Sequence, residues 1–205
     1  MIIFDVEDYR AMHRLCAEVT RETTNPDLLH YIDLQFSNDN PDEVVAYASN
    51  TFQVHRITLP VIIDQKHWGH LPEHLFIMPG LRLLKGVHTV TLDWDDKEYH
   101  LRALTVDGTE RSAFDAPMMS AVGMNYQALE RKVIDDISHC NHGDGQYSIV
   151  VNPKYLMEAL NGLKTCDMVV LNFGDPNKPF IVRPYANEYF RACAIVYPIR
   201  THEVR

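Results

Sequence analysis

The stretch 147–164 reads Y-S-I-V-V-N-P-K-Y-L-M-E-A-L-N-G-L-K, an apolar β-prone segment that passes through Asn-Pro into a helical pattern. It predicts a strand over Tyr147–Val151 and a helix over Lys154–Leu163. Three apolar segments follow and predict three strands, Met168–Phe173, Phe180–Arg183 and Ala192–Arg200. The C-terminal part of the chain is therefore expected to have the element order β-α-β-β-β.

The N-terminal part of the chain predicts the same order. Ile2–Val6 is apolar and β-prone, and Tyr9–Thr20 has apolar residues at helical spacing, with Asp8 as the expected N-cap. Three predicted strands complete this unit, Leu29–Phe36, Val44–Ser49 and Phe52–Val61.

A shorter version of the unit lies in the middle of the chain. The segment after its first predicted strand, 81–84, has room for barely one helical turn, and a separate helix is predicted over Tyr126–Ile137. The strands of this middle unit are Leu75–Met78, Thr89–Asp93, Tyr99–Val106 and Thr109–Phe114. The recurring order predicts an α+β protein in which helices pack on one face of antiparallel sheets.

Composition is typical of a soluble globular protein, with 46% hydrophobic and 23% charged residues among 205. The chain has no apolar run of about 18 residues and no signal-peptide pattern, so we expect a cytoplasmic protein without a membrane span. Four cysteines without a C-x-x-C pair are typical of reduced thiols. The net charge of -9 disfavours nucleic-acid binding over the whole surface, but a local basic face remains compatible with it.

The sequence offers little support for an enzyme. Phosphate-loop, dinucleotide-binding and G-x-S-x-G motifs are absent, so we expect no catalytic residues and no cofactor. The alternative is a metal-dependent enzyme, because imidazole, thiolate and carboxylate groups are zinc ligands. Eleven histidines among 205 residues make chance clusters common, however. The clustered groups are His67, His70 and His74, and then His139, Cys140, His142 and Asp144.

The C-terminal unit closes with A-I-V-Y-P-I-R at residues 194–200, and it resembles the end of a bacterial-type DNA sliding clamp, the DNA polymerase III beta subunit. In that family the same half-domain ends on V-M-P-M-R-L. Val44–Val61 is similar to the clamp stretch that contains T-D-G-H-R-L, and His74–Pro79 to a strand that contains V-I-V-P. Tyr126 matches the tyrosine of the family segment F-P-D-Y-R-R-V, although its neighbours differ.

The resemblance implies two domains. Residues 1–117 correspond to one clamp-like domain, and residues 118–205 to a second, reduced one. In the second domain, 116–145 is a connector plus helix and 146–205 is the C-terminal half-domain.

The resemblance implies a DNA-facing surface on the two helices. Family clamps present lysine and arginine from such helices to the phosphate backbone of duplex DNA, without sequence preference. The matching residues here are Arg10, Arg14, Arg21, Lys154 and Lys164. A solvated helix face carrying ordinary charges is the alternative.

The resemblance also implies a cleft for short peptides of polymerases and clamp loaders, beside the C-terminal strand. An apolar groove suits this role, because a few buried aliphatic anchors give most of the affinity. The matching residues are Ser49, Thr51, Val54, Val196, Pro198, Ile199 and Arg200. An ordinary edge strand, packed within the chain, is the alternative.

The implied function is that of a DNA sliding clamp, a processivity factor in DNA replication or repair. Family chains carry three domains, and two chains close a ring. A ring built from this shorter chain requires a homo-oligomer, a trimer or a tetramer. The competing hypothesis is a monomeric peptide-binding module or decoy that does not encircle DNA, and the metal-dependent enzyme is third.

Overall fold

The structure is a computed structural model. It describes residues 1–20, 31–37, 40–50, 52–64, 71–119, 149–175, 177–185 and 192–199, together with positions 126, 128, 129, 131, 132 and 135. Within this part of the chain, no helix is both long and apolar enough to cross a membrane.

Two helices and twelve strands have both ends within the described residues, and positions 126, 128, 129, 131, 132 and 135 are also helical. The helices are α1 (Val6–Thr20) and α2 (Pro153–Gly162). The N-terminal strands are β1 (Ile2–Asp5), β2 (Ile32–Phe36), β3 (Glu43–Ser49), β4 (Gln53–Pro60) and β5 (Ile62–Ile63). The middle strands are β6 (His74–Ile77), β7 (Thr89–Trp94), β8 (Glu98–Leu104) and β9 (Glu110–Pro117). The C-terminal strands are β10 (Val169–Asn172), β11 (Phe180–Pro184) and β12 (Cys193–Val196).

The strands form two antiparallel sheets. The five-stranded sheet has the order β5-β1-β7-β8-β9, and the seven-stranded sheet has the order β10-β11-β12-β4-β3-β2-β6. The larger sheet combines N-terminal and C-terminal strands, because β12 pairs with β4 from Cys193↔Arg56 to Val196↔Gln53. The predicted α+β class with antiparallel sheets is confirmed.

Successive side chains of a strand point to opposite faces of the sheet, and the larger sheet has an apolar layer on each face. On β12, Ala194 and Val196 point into the main core under the helices, whereas Cys193 and Ile195 point to the opposite face. We call the layer on that opposite face the outer cluster; it consists of Tyr47, Val54, Tyr126, Ile181, Cys193 and Ile195. α1 packs on β3 and β4 and also contacts α2.

Two local predictions at the first helix were wrong. The helix begins at Val6, and Asp5 rather than Asp8 supplies the cap, since Asp5 Oδ1 accepts a hydrogen bond from the Glu7 amide at 2.8 Å. The Val6 amide donates to the His88 carbonyl at 3.0 Å, which fixes the chain before Asp8 is reached.

A third difference concerns the C-terminal unit. Residues 149–151 are not in a strand, although their apolar character predicts one. A strand requires a ladder of hydrogen bonds to a partner strand, whereas the Val150 carbonyl accepts one bond from the Ile199 amide at 2.8 Å, outside any ladder. The rest of the predicted strand, Tyr147 and Ser148, lies outside the described residues.

Candidate functional site

The turn between β3 and β4 lies where the N-terminal and C-terminal strands meet. Asn50 closes this turn, because its Oδ1 accepts hydrogen bonds from the amides of Phe52 and Gln53, each at 3.2 Å. The Asn50 amide donates in return to the Gln53 carbonyl at 3.2 Å. An asparagine whose side chain accepts such bonds forms an Asx-type turn.

Four apolar or aromatic residues near this turn are half-buried or exposed, and we call them the end patch: Phe52, Tyr155, Pro198 and Ile199. The Phe52 ring stacks on Tyr155 of α2 with centroids 5.0 Å apart. Phe52 is 46% exposed and Ile199 is 48% exposed. The Tyr197 amide donates to the Phe52 carbonyl at 3.0 Å and ties the C-terminal segment to the turn.

A buried polar chain lies beneath the end patch and links both helices to β4. His55 Nδ1 lies 2.6 Å from the Leu15 carbonyl of α1, and His55 Nε2 lies 3.1 Å from Gln53 Oε1. Gln53 Nε2 donates to the Glu158 carboxylate of α2. Burial lowers the pKa of His55 to about 4, although the hydrogen bond to Leu15 opposes that shift.

The residues predicted for the peptide cleft lie near one another but on two faces of the sheet. Ser49 and Val54 are paired across β3 and β4 and are buried, with Val54 in the outer cluster. Val196 is fully buried in the main core, so it does not line a surface groove. Pro198 is half-buried and Ile199 is exposed. Thr51 and Arg200 lie outside the described residues.

The sequence analysis did not assign the aromatic residues to this site, although it matched Tyr126 to a tyrosine of the clamp family. Tyr126 stacks on Tyr47 with ring centroids 5.0 Å apart, and burial raises its pKa to about 12. Phe52 and Tyr155 meet although they are far apart in the chain. The alternation of side chains along β12 was one signal in the sequence. Because neighbouring residues of a strand point to opposite faces of the sheet, Val196 and Ile195 could not both lie in the groove. No local pattern identifies the Phe52 contact, because it depends on the β4–β12 junction.

Of the predicted DNA-facing residues, Arg10, Arg14 and Lys154 lie on α1 and α2, which contact each other. Close approach is possible because Gly162 faces Leu15: a Cβ at Gly162 would lie 2.5 Å from Leu15 Cδ1. Lys154 and Lys164 are exposed near opposite ends of α2.

On α1 the positive charge is partly compensated. Arg10 forms an ion pair with Glu7 one turn away, and its side chain is 35% exposed. Arg14 lines a pocket of about 170 Å³ between the two helices, which Glu7 and Cys166 also line. Arg21 lies outside the described residues. Among the described candidates, Arg10 therefore carries a charge that a neighbouring carboxylate offsets.

The histidines considered as metal ligands are mostly outside the described residues. His74 is the exception, and its Nδ1 lies 3.0 Å from Asp33 Oδ2. Burial raises the pKa of Asp33, whereas the hydrogen bond from Gln35 and the charge and hydrogen bond of His74 lower it. Within the described part of the chain, no group of three or more metal-ligating side chains is present.

No family model and no curated protein matches the sequence significantly. Comparison of folds is informative. The beta clamp of Helicobacter pylori in complex with 3,4-difluorobenzamide matches with a TM-score of 0.67 and 13% identity, over 97% of this chain and 66% of the clamp. The DNA polymerase III subunit beta of Pseudomonas aeruginosa matches with a TM-score of 0.65 and 12% identity, over 98% and 67%.

This chain has the fold of the bacterial DNA polymerase III beta clamp. The resemblance inferred from the sequence is thereby confirmed for the fold, in a divergent form. The chain spans about two thirds of the length of the clamps that it matches. The H. pylori clamp bound to a DNA ligase peptide is also similar, with a TM-score of 0.62 and 12% identity, over 97% of this chain and 65% of that clamp.

Proposed function

We propose that this clamp-fold protein binds short peptides of replication or repair proteins and tethers those proteins to duplex DNA. The observation that carries the proposal is the end patch. It joins a fixed β3–β4 turn to the C-terminal segment, the two regions that the clamp resemblance assigns to the peptide cleft. Phe52 and Ile199 are exposed apolar side chains on that surface, and they suit the aliphatic anchors of a peptide.

The peptide site has a direct test with a matched control. The probe is a fluorescently labelled DNA ligase peptide of the kind bound by the H. pylori clamp. The protein is titrated into the peptide and binding is followed by fluorescence anisotropy. We expect Ile199→Asp to weaken binding about 30-fold, since loss of one buried apolar anchor costs about 2 kcal/mol. Ile62→Asp changes an isoleucine that is 68% exposed on β5 and should leave affinity unchanged. If the wild type, Ile199→Asp and Ile62→Asp bind the peptide with equal affinity, the end patch is not the peptide site.

DNA tethering rests on the helix surface and requires a separate test. Lys154 is exposed in the first turn of α2 and Lys164 is exposed just after its C-terminal end. A sequence-independent contact with phosphates suits a protein that slides. We expect retention of the protein on closed circular DNA, with release when the circle is cut.

The charge contribution is measurable on linear duplex. Replacing both lysines by glutamate should weaken binding and reduce the salt dependence of log K by about 0.9 for each phosphate that the protein no longer neutralises. Lys85→Glu, at an exposed position in the turn before β7, is the control. Protein that binds the peptide but shows no retention on circular DNA would favour the monomeric peptide-binding module or decoy.

Encirclement also requires more than two copies, because this chain is shorter than the clamps it resembles. Two three-domain chains close the ring in that family, so we propose a homo-oligomer, a trimer or a tetramer. Protein of this kind acts by raising the local concentration of its partner rather than by chemistry. A non-enzymatic, cytoplasmic role without a cofactor belongs to the same proposal.

A further inference from the structure

The two halves of residues 1–117 complete each other by exchanging their first strands. β1 of the first half pairs with β7 of the second half, with Ile2 opposite Leu92. β6 of the second half pairs with β2 of the first half, with Ile32 opposite Ile77. Each set of three strands is thus extended by a strand from the other half. The exchange is reciprocal, as in a two-fold arrangement.

The C-terminal unit matches the first half at the start of its helix. Asn152 caps α2, because its Oδ1 accepts a hydrogen bond from the Lys154 amide at 3.0 Å. Asp5 accepts from the Glu7 amide at the start of α1 in the same way, at 2.8 Å. Asn152 therefore corresponds to Asp5, and residues 149–151 correspond to the apolar residues of β1.

The segment after the third strand supports this correspondence. In the first half, Ile3 of β1 pairs with Ile62 of β5. In the C-terminal unit, the Val150 carbonyl accepts a hydrogen bond from the Ile199 amide. The segment at Ile199 thus lies beside residues 149–151 as β5 lies beside β1. Within the described residues, the other edge has no strand corresponding to β7.

A second unfilled edge lies on β10 of the same unit. β10 is the first of three strands, like β2 and β7, and each of those carries an exchanged strand on its outer edge. Among the described residues, β10 pairs only with β11. The C-terminal unit therefore offers both the strand that an exchange would donate and the edge that would accept it.

Side-chain burial points to the same deficiency. Ile2 and Leu92 are opposite each other in the exchanged pair and are both completely buried. Leu171 holds the corresponding place on β10 and is 40% exposed, and Ile149, which corresponds to Ile2, is only half-buried. Between them lies an apolar cavity of about 240 Å³. It is lined by Ile149, Val151, Leu156, Leu171, Phe173 and Phe180.

We propose that a second copy of this chain fills both edges. Residues 149–151 of each copy pair antiparallel with β10 of the other, and their inward side chains occupy the apolar cavity. The correspondence with β1 and β7 sets the register, with Ile149 opposite Leu171 and Val150 opposite Val170. The contact is isologous, since one two-fold operation generates both pairings. Two half-domains thereby form one complete domain of the kind seen in residues 1–117.

This arrangement selects among the oligomers of the proposed ring. A dimer would hold three domain equivalents. Residues 1–117 of each copy supply one domain, and the two joined half-domains supply the third. Two such dimers hold as many domains as two three-domain family chains. A tetramer is therefore favoured and a trimer is not, because a trimer leaves one half-domain without a partner. The contact itself depends on neither DNA nor peptide binding.

A designed disulfide tests the register. In antiparallel strands, opposite Cα atoms lie about 4.5–5.5 Å apart, a distance that a disulfide spans. We expect the double variant Val150→Cys/Val170→Cys, oxidised with diamide, to form a covalent dimer on a non-reducing gel. Each single variant faces a valine in this register and should show only the background of the native cysteines. A double variant that gives no more dimer than the single variants would overturn the proposal.

Absolute mass in solution provides the second test, by light scattering on a sizing column without DNA or peptide. We expect a dimer or tetramer of the 23.6 kDa chain. Leu171→Lys should halve the mass, whereas Val106→Lys, at a position 79% exposed outside the C-terminal unit, should leave it unchanged. Circular dichroism confirms that both variants fold.

A monomeric or trimeric wild type would overturn the proposal, and a monomer would assign this edge to another segment of the same chain. Loss of peptide or DNA binding with the dimer intact would count against the proposed function alone.

Discussion

Acid should destabilise this protein through His55, the buried imidazole beneath the end patch. The pKa of His55 falls from an ordinary 6.5 to about 4 because burial disfavours the charged ring. In the unfolded chain the ring takes up a proton below about pH 6.5, whereas the folded chain resists protonation down to about pH 4. The stabilising contribution is therefore complete above the unfolded pKa and is lost as the pH falls between the two values.

The magnitude follows from linkage. The lowering of the His55 pKa from 6.5 to about 4 corresponds to a maximum of about 3 kcal/mol, and about 2 kcal/mol of this is lost at pH 5. The assay is urea unfolding at pH 8 and pH 5, for the wild type and for His55→Gln. Glutamine can donate to the Leu15 carbonyl but does not titrate in this range. We expect the wild type to lose about 2 kcal/mol more than the variant between the two pH values.

The comparison with the variant also removes the contributions of other groups. Asp33 is the important one, because burial raises its pKa and gives it the opposite dependence, with stability lost as the pH rises. Equal acid sensitivity of wild type and His55→Gln would refute the reasoning. It would mean that the folded ring keeps its second proton, with the charge balanced through Gln53 by Glu158.

Three substitutions test the packing around the site. Asn152→Ala removes the cap of α2 and should reduce the free energy of unfolding by about 1 kcal/mol in urea, with no change when Asn152→Ser is made instead. Gly162→Val places carbon atoms against Leu15 and should cost about 1–3 kcal/mol, measured in the same way; a neutral effect would mean that the helices do not approach closely here. Tyr126→Ala exposes the face of Tyr47 and should cost about 3–5 kcal/mol, while Tyr126→Phe keeps the ring stack and most of the stability.

Strand positions were predictable because they depend on local alternation and turn residues. β3 begins within one residue of its predicted start, and β7 ends within one residue of its predicted end. Sheet order was not predictable in this way, since the pairing of β12 with β4 joins residues about 140 apart in the chain. The assignment of Val196 to a surface groove shows the same limit. Its apolar character fits a groove or a core equally, and only the register places it under the helices.

The end patch depends on contacts between the N-terminal and C-terminal units of the chain. The β3–β4 turn comes from the first half-domain, and Tyr155 and Ile199 come from the last one. These halves are held together by the β4–β12 ladder, the packing of α1 on α2, and the hydrogen bond from Gln53 to Glu158. The patch is therefore held by contacts within one chain, whereas the outer edge of β10 has no partner strand among the described residues. The proposed peptide binding and the proposed self-association would then use different surfaces of the same C-terminal unit, so each can be tested without disturbing the other.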